Sequence, residues 1–183
     1  MQRTRINGRR LISASVPLIL LIFLILLDQV TKTYFVVRLA EGHINSVGVD
    51  RITVIEGFFY FSYTYNKGAA WSFLSDAEWG QIFFKILSAI ALVAFFFFYV
   101  YVNKKGYKWL KTAMIFIIGG TIGNYIDRLA YNCVADFISL VFGTYHFPVF
   151  NLADVYMTVG VIMLIIHYLF LDKNAVFRKN ENS

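Results

Sequence analysis

L-A-Y-N-C-V-A-D-F-I-S-L-V-F-G-T-Y-H-F-P-V-F-N-L-A-D, from Leu129 to Asp154, holds two carboxylates and not one Lys or Arg. It joins one apolar run that ends at Arg128 to another that begins at Leu152. Asp136 lies in V-A-D-F-I and Asp154 in F-N-L-A-D, each flanked by apolar side chains rather than by a cation. An ionised carboxylate is expensive in low dielectric, so acids bordering a membrane are rare and usually functional. Two of them close together without a cation tend to share a proton, with their ionisations pushed apart. That is the arrangement acid–base hydrolysis by paired aspartates requires.

The rest of the chain says what this stretch is embedded in. The 183 residues are 58% hydrophobic, 19% aromatic and only 15% charged, which excludes disorder and is too apolar for an ordinary soluble domain. Four runs are long enough to cross about 30 Å of hydrocarbon: Val16–Val37, Ile82–Val102, Trp109–Arg128 and Leu152–Leu171. The expected fold is a mainly α membrane protein with four transmembrane helices, a single domain over 1–183. The first run follows basic residues as a signal peptide does, but no small-residue cleavage site follows it and apolar residues resume after Asp28, so it reads as a retained helix.

The net charge of +6 reports topology rather than a nucleic-acid partner. Arg3, Arg5, Arg9 and Arg10 precede the first run. Lys104, Lys105, Lys108 and Lys111 lie between the second and third, and Lys173, Arg178 and Lys179 follow the last. By the positive-inside rule both termini are cytoplasmic, and helices one and three run outward. Asp127, Arg128, Asp136, Asn151 and Asp154 then all fall on the outer side, near the membrane–water interface.

The longest extramembrane piece, about 40–80, is external too. R-I-T-V-I and F-F-Y-F-S-Y-T-Y read as two strands separated by Glu56-Gly57, a small β-sheet cradle between helices one and two that rests on the membrane interface. N-K-G-A-A-W (Asn66–Trp71) follows, with Gly68 among small residues that permit close backbone approach. A short amphipathic piece is expected over Ala69–Leu74.

In G-G-T-I-G-N-Y-I-D-R (Gly119–Arg128) the glycines are spaced for tight helix contact, and Asn124 and Asp127 share one face beside Arg128. Arg128 is suited to hold a peptide carbonyl or a lipid phosphate. Asn151 and Asp154, three apart at a helix start, also suit a cap and its dipole partner. Asp28 and Lys32, one turn apart in helix one, read as a self-neutralising pair. His43, His146 and His167 lack ligand spacing, so no metal is expected; Cys133 reads as an apolar filler, and no Ser or Cys nucleophile motif is present.

The ordered set D-Q-x-x-K (Asp28–Lys32), N-K-G-A-A-W, G-N-Y-I-D-R (Gly123–Arg128), V-A-D-F (Val134–Phe137) and F-N-L-A-D (Phe150–Asp154) resembles lipoprotein signal peptidase, the signal peptidase II family of bacteria. The resemblance covers nearly the whole chain. It implies an aspartyl endopeptidase of the inner membrane, without cofactor, that cuts diacylglyceryl-modified prolipoproteins just before the lipidated Cys. Carried over, Asp136 and Asp154 form the catalytic dyad. Asn66, Gly68, Asn124, Arg128 and Asn151 line the site, with Asp28, Lys32 and Asp127 in support. The implied partners are the prolipoprotein substrates and membrane lipids, and a monomer is expected. Trp71 stands where the family usually has Phe, and Ala135 where Val is commoner.

Asp127 rivals Asp136 as partner of Asp154; Arg128 argues against it by offering Asp127 a salt partner. The alternative function is a small transporter or channel subunit with its acids as an ion relay. That reading predicts acids spread through the membrane depth, whereas these cluster on one side.

Overall fold

The apolar runs become long helices because in hydrocarbon every backbone N–H and C=O must be satisfied within its own segment. The computed structural model describes residues 8–44, 51–68 and 79–172, with side chains over 15–39 of the first stretch. The helices are α1 (Gly8–Ile44), α2 (Gly80–Lys105), α3 (Lys108–Tyr131) and α4 (Leu152–Ile166), which runs into a π-helical turn, His167–Leu171. Three of these segments are long and apolar enough to cross a membrane: Ser15–Leu39, Gly80–Lys105 and Leu152–Leu171. The expected piece Ala69–Leu74, the side chains of Arg9, Arg10 and His43, and the basic residues Arg3, Arg5, Lys173, Arg178 and Lys179 lie outside what the structure describes.

α3 is the central helix. It buries eleven residues, whereas α2 and α4 bury three each. Its glycines make that possible by admitting a neighbour on two sides. Gly119 meets Leu24 of α1, Gly120 sits against the Ala153 carbonyl of α4, and Gly123 lies between the Asp28 carboxylate and Ala153. α2 turns into α3 at Gly106, whose φ of 76° is the left-handed conformation glycine adopts without strain. The outer faces of α1, α2 and α4 expose Ile19, Phe23, Ile86, Phe97 and Ile162, as lipid-facing helices do.

The sheet has four antiparallel strands in the order β1-β2-β3-β4: Arg51–Ile55, Phe59–Asn66, Val134–Phe142 and Tyr145–His146. The first two match the sequence reading. The third does not: the residues around Asp136, expected as a simple external connection, form the longest strand. Isolated sequence does not reveal this, because β3 gains its stability from pairing with β2, some 70 residues away. The cradle is therefore built from both external segments. Phe35 of α1 stacks on Phe137 at 4.5 Å and on Phe61 at 4.3 Å, which ties the sheet to the helices. Side chains alternate across a strand, so Phe137 facing α1 turns Asp136 to the opposite face.

Candidate active site

Each acid is placed by a different piece of backbone logic. On β2 and β3 the pairs Thr64–Asp136 and Asn66–Val134 are in register, so Asn66 and Asp136 are diagonal neighbours on one face. The extra β2 residue between Phe61 and Thr64 sets that register. Asn66 Nδ2 donates to Asp136 Oδ2 at 2.9 Å, while Asn66 Oδ1 accepts the Gly68 N–H at 2.9 Å.

Asp154 is placed by the start of α4. Phe150 bridges to Ile138 of β3 through backbone hydrogen bonds of 2.8 and 3.1 Å, which brings the next residue, Asn151, beside the strand. Asn151 caps α4: its Oδ1 accepts the Asp154 N–H at 3.1 Å, and its own N–H donates to Asp154 Oδ2 at 3.1 Å. This reciprocal box satisfies two helix-end donors. The capping role expected from sequence is real, and it is combined with a second one. Asn151 Nδ2 donates to Asp136 Oδ1 at 2.6 Å. One fully buried residue thus holds both carboxylates, Asp136 through its side-chain amide and Asp154 through its backbone N–H.

Behind them lies a buried network. The Lys32 ammonium reaches Asp28 at 2.8 Å, Asp127 at 3.0 Å and Asn124 Oδ1 at 2.9 Å, which uses all three of its protons. Asn124 Oδ1 also accepts from Asn151 Nδ2 at 3.1 Å, and Asn124 Nδ2 donates to Asp154 Oδ1 at 2.8 Å. Asp28 receives the Ala153 N–H at 2.9 Å, and Asp127 receives the Ala135 N–H at 3.2 Å. Those two supports therefore clamp the backbone next to each of the other acids.

Two sequence expectations need correction. The cation of Asp127 is Lys32, not Arg128. Lys32 is shared between two acids rather than neutralised by Asp28 alone, because α3 packs its Asp127 face directly on α1. Arg128 instead points away, with a terminal nitrogen 3.3 Å from the Gly68 carbonyl and its guanidinium 5.3 Å from the Phe84 ring centre. Its Nε has no hydrogen-bond partner among the described residues. Gln29 was quoted in a motif without a role; its Nε2 donates to Asp127 Oδ1 at 2.9 Å and to the Gly123 carbonyl at 3.1 Å.

The acids open onto a cavity of about 1140 Å³. Its lining combines the polar residues Asn66, Lys67, Asn124, Arg128, Asp136 and Asp154 with the apolar residues Leu140, Phe142, Phe147, Pro148, Val149 and Val159. His146, one of the scattered histidines, lies on its wall, and nothing in residue spacing pointed there. Asp136 is only 1% exposed. Burial, and secondarily the charge of Asp154, push its carboxyl up from 3.8 to about 7, against the pull of the Asn66 and Asn151 hydrogen bonds and of Lys32. Burial likewise raises the Cys133 thiol, consistent with a filler rather than a nucleophile.

Comparison with known proteins identifies the family. The family model described as signal peptidase (SPase) II matches residues 20–170. A lipoprotein signal peptidase of Clostridium tetani is 42% identical over 150 residues, covering 81% of this chain and 89% of the relative. One from Bacillus pumilus is 39% identical over 146 residues, covering 80% and 87%. A solved structure described as a bacterial membrane enzyme superposes with a TM-score of 0.68 at 32% identity, covering 87% of this chain and 91% of its own. With a family model spanning most of the sequence and relatives this similar over four-fifths of it, the chain belongs to the signal peptidase II family.

Proposed function

We propose that the chain is an aspartic endopeptidase whose dyad is Asp136 and Asp154, and that it carries out its family's task at that pair. That task is the removal of signal peptides from prolipoproteins. The observation that carries the aspartic assignment is Asn151, which bonds both carboxylates where they line a cavity that also has apolar lining residues. One ionised acid takes a proton from water as it attacks the scissile carbonyl. The other, protonated, polarises that carbonyl and then delivers its proton to the leaving amine. Arg128, which lines the cavity with both acids and reaches the Gly68 carbonyl, is placed to hold a substrate carbonyl. Asp127 is a support, since its two oxygens are occupied by Lys32, Gln29 and the Ala135 amide.

In this reading the whole chain is one integral membrane unit, and α3 is its fourth span. α3 carries Lys108, Lys111, Asp127 and Arg128, and it crosses surrounded by the other helices, so it needs less apolar surface than they do. Both termini are cytoplasmic and the dyad lies near the outer leaflet, by the distribution of basic residues. Substrate, with acyl chains and signal helix both in the bilayer, arrives laterally and packs on the apolar residues of the cavity lining. It is cut before the lipidated Cys.

The test is cleavage of a diacylglyceryl-Cys precursor peptide by purified protein carrying Asp136→Asn or Asp154→Asn. Each substitution should reduce turnover by at least about 100-fold, the scale of lost acid–base catalysis. Near-normal turnover in either variant would remove that acid from the dyad.

A further inference from the structure

The two acids are not equivalent in their surroundings. Asp154 occupies the third position of α4, where the unpaired N–H groups and dipole of the helix favour negative charge. Its oxygens accept from Asn124 Nδ2 at 2.8 Å and from the Asn151 backbone at 3.1 Å. Asp136 lies within a strand rather than in a helix, and each of its oxygens accepts one neutral side-chain amide, from the α4 cap Asn151 at 2.6 Å and from Asn66 at 2.9 Å. Strands carry almost no net dipole, so Asp136 gains no dipole stabilisation from its own element.

Asn124 adds to this difference because its orientation is dictated. Its Oδ1 is approached by two obligate donors, the Lys32 ammonium and Asn151 Nδ2, so that atom must be the oxygen. Its Nδ2 is therefore aimed at Asp154. The Lys32 charge polarises the amide and strengthens that donation, as hydrogen bonds in series do. The charged groups around the pair are Asp28 and Lys32 from α1, Lys67 after β2, Asp127 and Arg128 from α3, and His146 on β4. Lys32 reaches Asp154 through the single side-chain amide of Asn124, whereas Arg128 is linked to Asp136 only by way of Gly68 and Asn66.

We infer that Lys32 is a positioning residue that divides the labour of the pair: acting through Asn124, it holds Asp154 as the ionised base and leaves the shared proton on Asp136. Asp154 then takes the proton of the attacking water, and Asp136 gives its proton to the substrate. The raised carboxyl of Asp136 agrees with that order. The inference rests on the dyad reading above.

The experiment is the pH profile of kcat/KM on a diacylglyceryl-Cys precursor peptide. The variants are full-length Asn124→Ala and the charge-balanced double variant Lys32→Met with Asp28→Asn. In both, the acidic limb, which follows loss of the base, should move up by about one pH unit, the scale of a lost charge-stabilising hydrogen bond. The alkaline limb should move less. A uniform drop in kcat/KM with both limbs in place is what a merely structural role gives, and it would overturn the inference. So would a shift of the alkaline limb alone, which would reverse the two roles. If neither variant folds, site-resolved carboxyl carbon NMR of the wild type decides: between about pH 5 and about pH 8 Asp136 should titrate while Asp154 stays ionised. Titration of Asp154 in that range overturns it. The dyad reading fails separately, by full activity in Asp136→Asn or Asp154→Asn.

Discussion

Replacing Asp136 by Asn should cost the protein its activity and change how its stability depends on pH. The carboxyl ionises near 3.8 when exposed and near 7 when folded, a raised value. Between those two points the folded state holds a proton that the unfolded chain has released. Stability is thus fullest below the unfolded value, falls as pH rises, and levels off above the folded one. A difference of about 3 units at 1.36 kcal/mol each makes the loss about 4 kcal/mol. Asparagine has no such proton and escapes that loss. It has its own cost, because Asn66 Nδ2 and Asn151 Nδ2 each point at one oxygen of Asp136 and the amide has only one to offer. Leaving a buried donor unpaired costs about 1–3 kcal/mol. The variant should therefore be less stable than wild type at about pH 4 and more stable at about pH 8, a change of sign. At about 2–4 °C per kcal/mol for a chain of this size, the swing in midpoint difference is on the order of 10 °C. Cys133 makes the assay simple, since it is the chain's one cysteine and is buried, so a thiol-reactive fluorophore reports unfolding in detergent. If the difference between the two midpoints is the same at both pH values, Asp136 is not held protonated by burial and the reasoning fails.

Two further substitutions probe the framework and the cavity. Gly160→Ala would set a methyl 2.6 Å from Ile117 Cγ1 and 2.7 Å from the Ala113 carbonyl, so α4 must move off α3. Overpacking of about 1–3 kcal/mol then outweighs the better helix propensity of alanine, and the thermal midpoint should drop. An unchanged or raised midpoint would show that the helices separate freely. Arg128→Lys keeps the charge but loses the planar contact over Phe84 and the reach to the Gly68 carbonyl. It should lower kcat/KM by about tenfold, the equivalent of about 1.4 kcal/mol, with little change in thermal midpoint. Normal kinetics would leave Arg128 without a substrate role.

Much of this protein is legible in its sequence because the relevant physics is local. An apolar run must satisfy its own backbone in hydrocarbon, so composition alone dictates helices over 82–102 and 152–171, and the structure extends α2 by only a few residues at each end. The strands Arg51–Ile55 and Phe59–Asn66 follow from β-branched and aromatic residues on either side of a Gly turn. The Asn151 cap is likewise a short-range pattern. What the residues do across space was not legible. β3 exists because β2 pairs with it, which draws Asp136 out of a supposed loop and beside Asn66. Lys32 looked spent on Asp28, yet the glycine face of α3 lets Asp127 and Asn124 approach the same ammonium. Arg128 was assigned to its neighbour in sequence, whereas a helix turns adjacent side chains about 100° apart and sends it to Gly68 and the cavity. The sequence by itself determined that buried acids would border a membrane without a local cation. Only the tertiary structure decided which amide joins them and which distant cation stands behind one of them, because hydrogen bonds between segments depend on packing that no local pattern records.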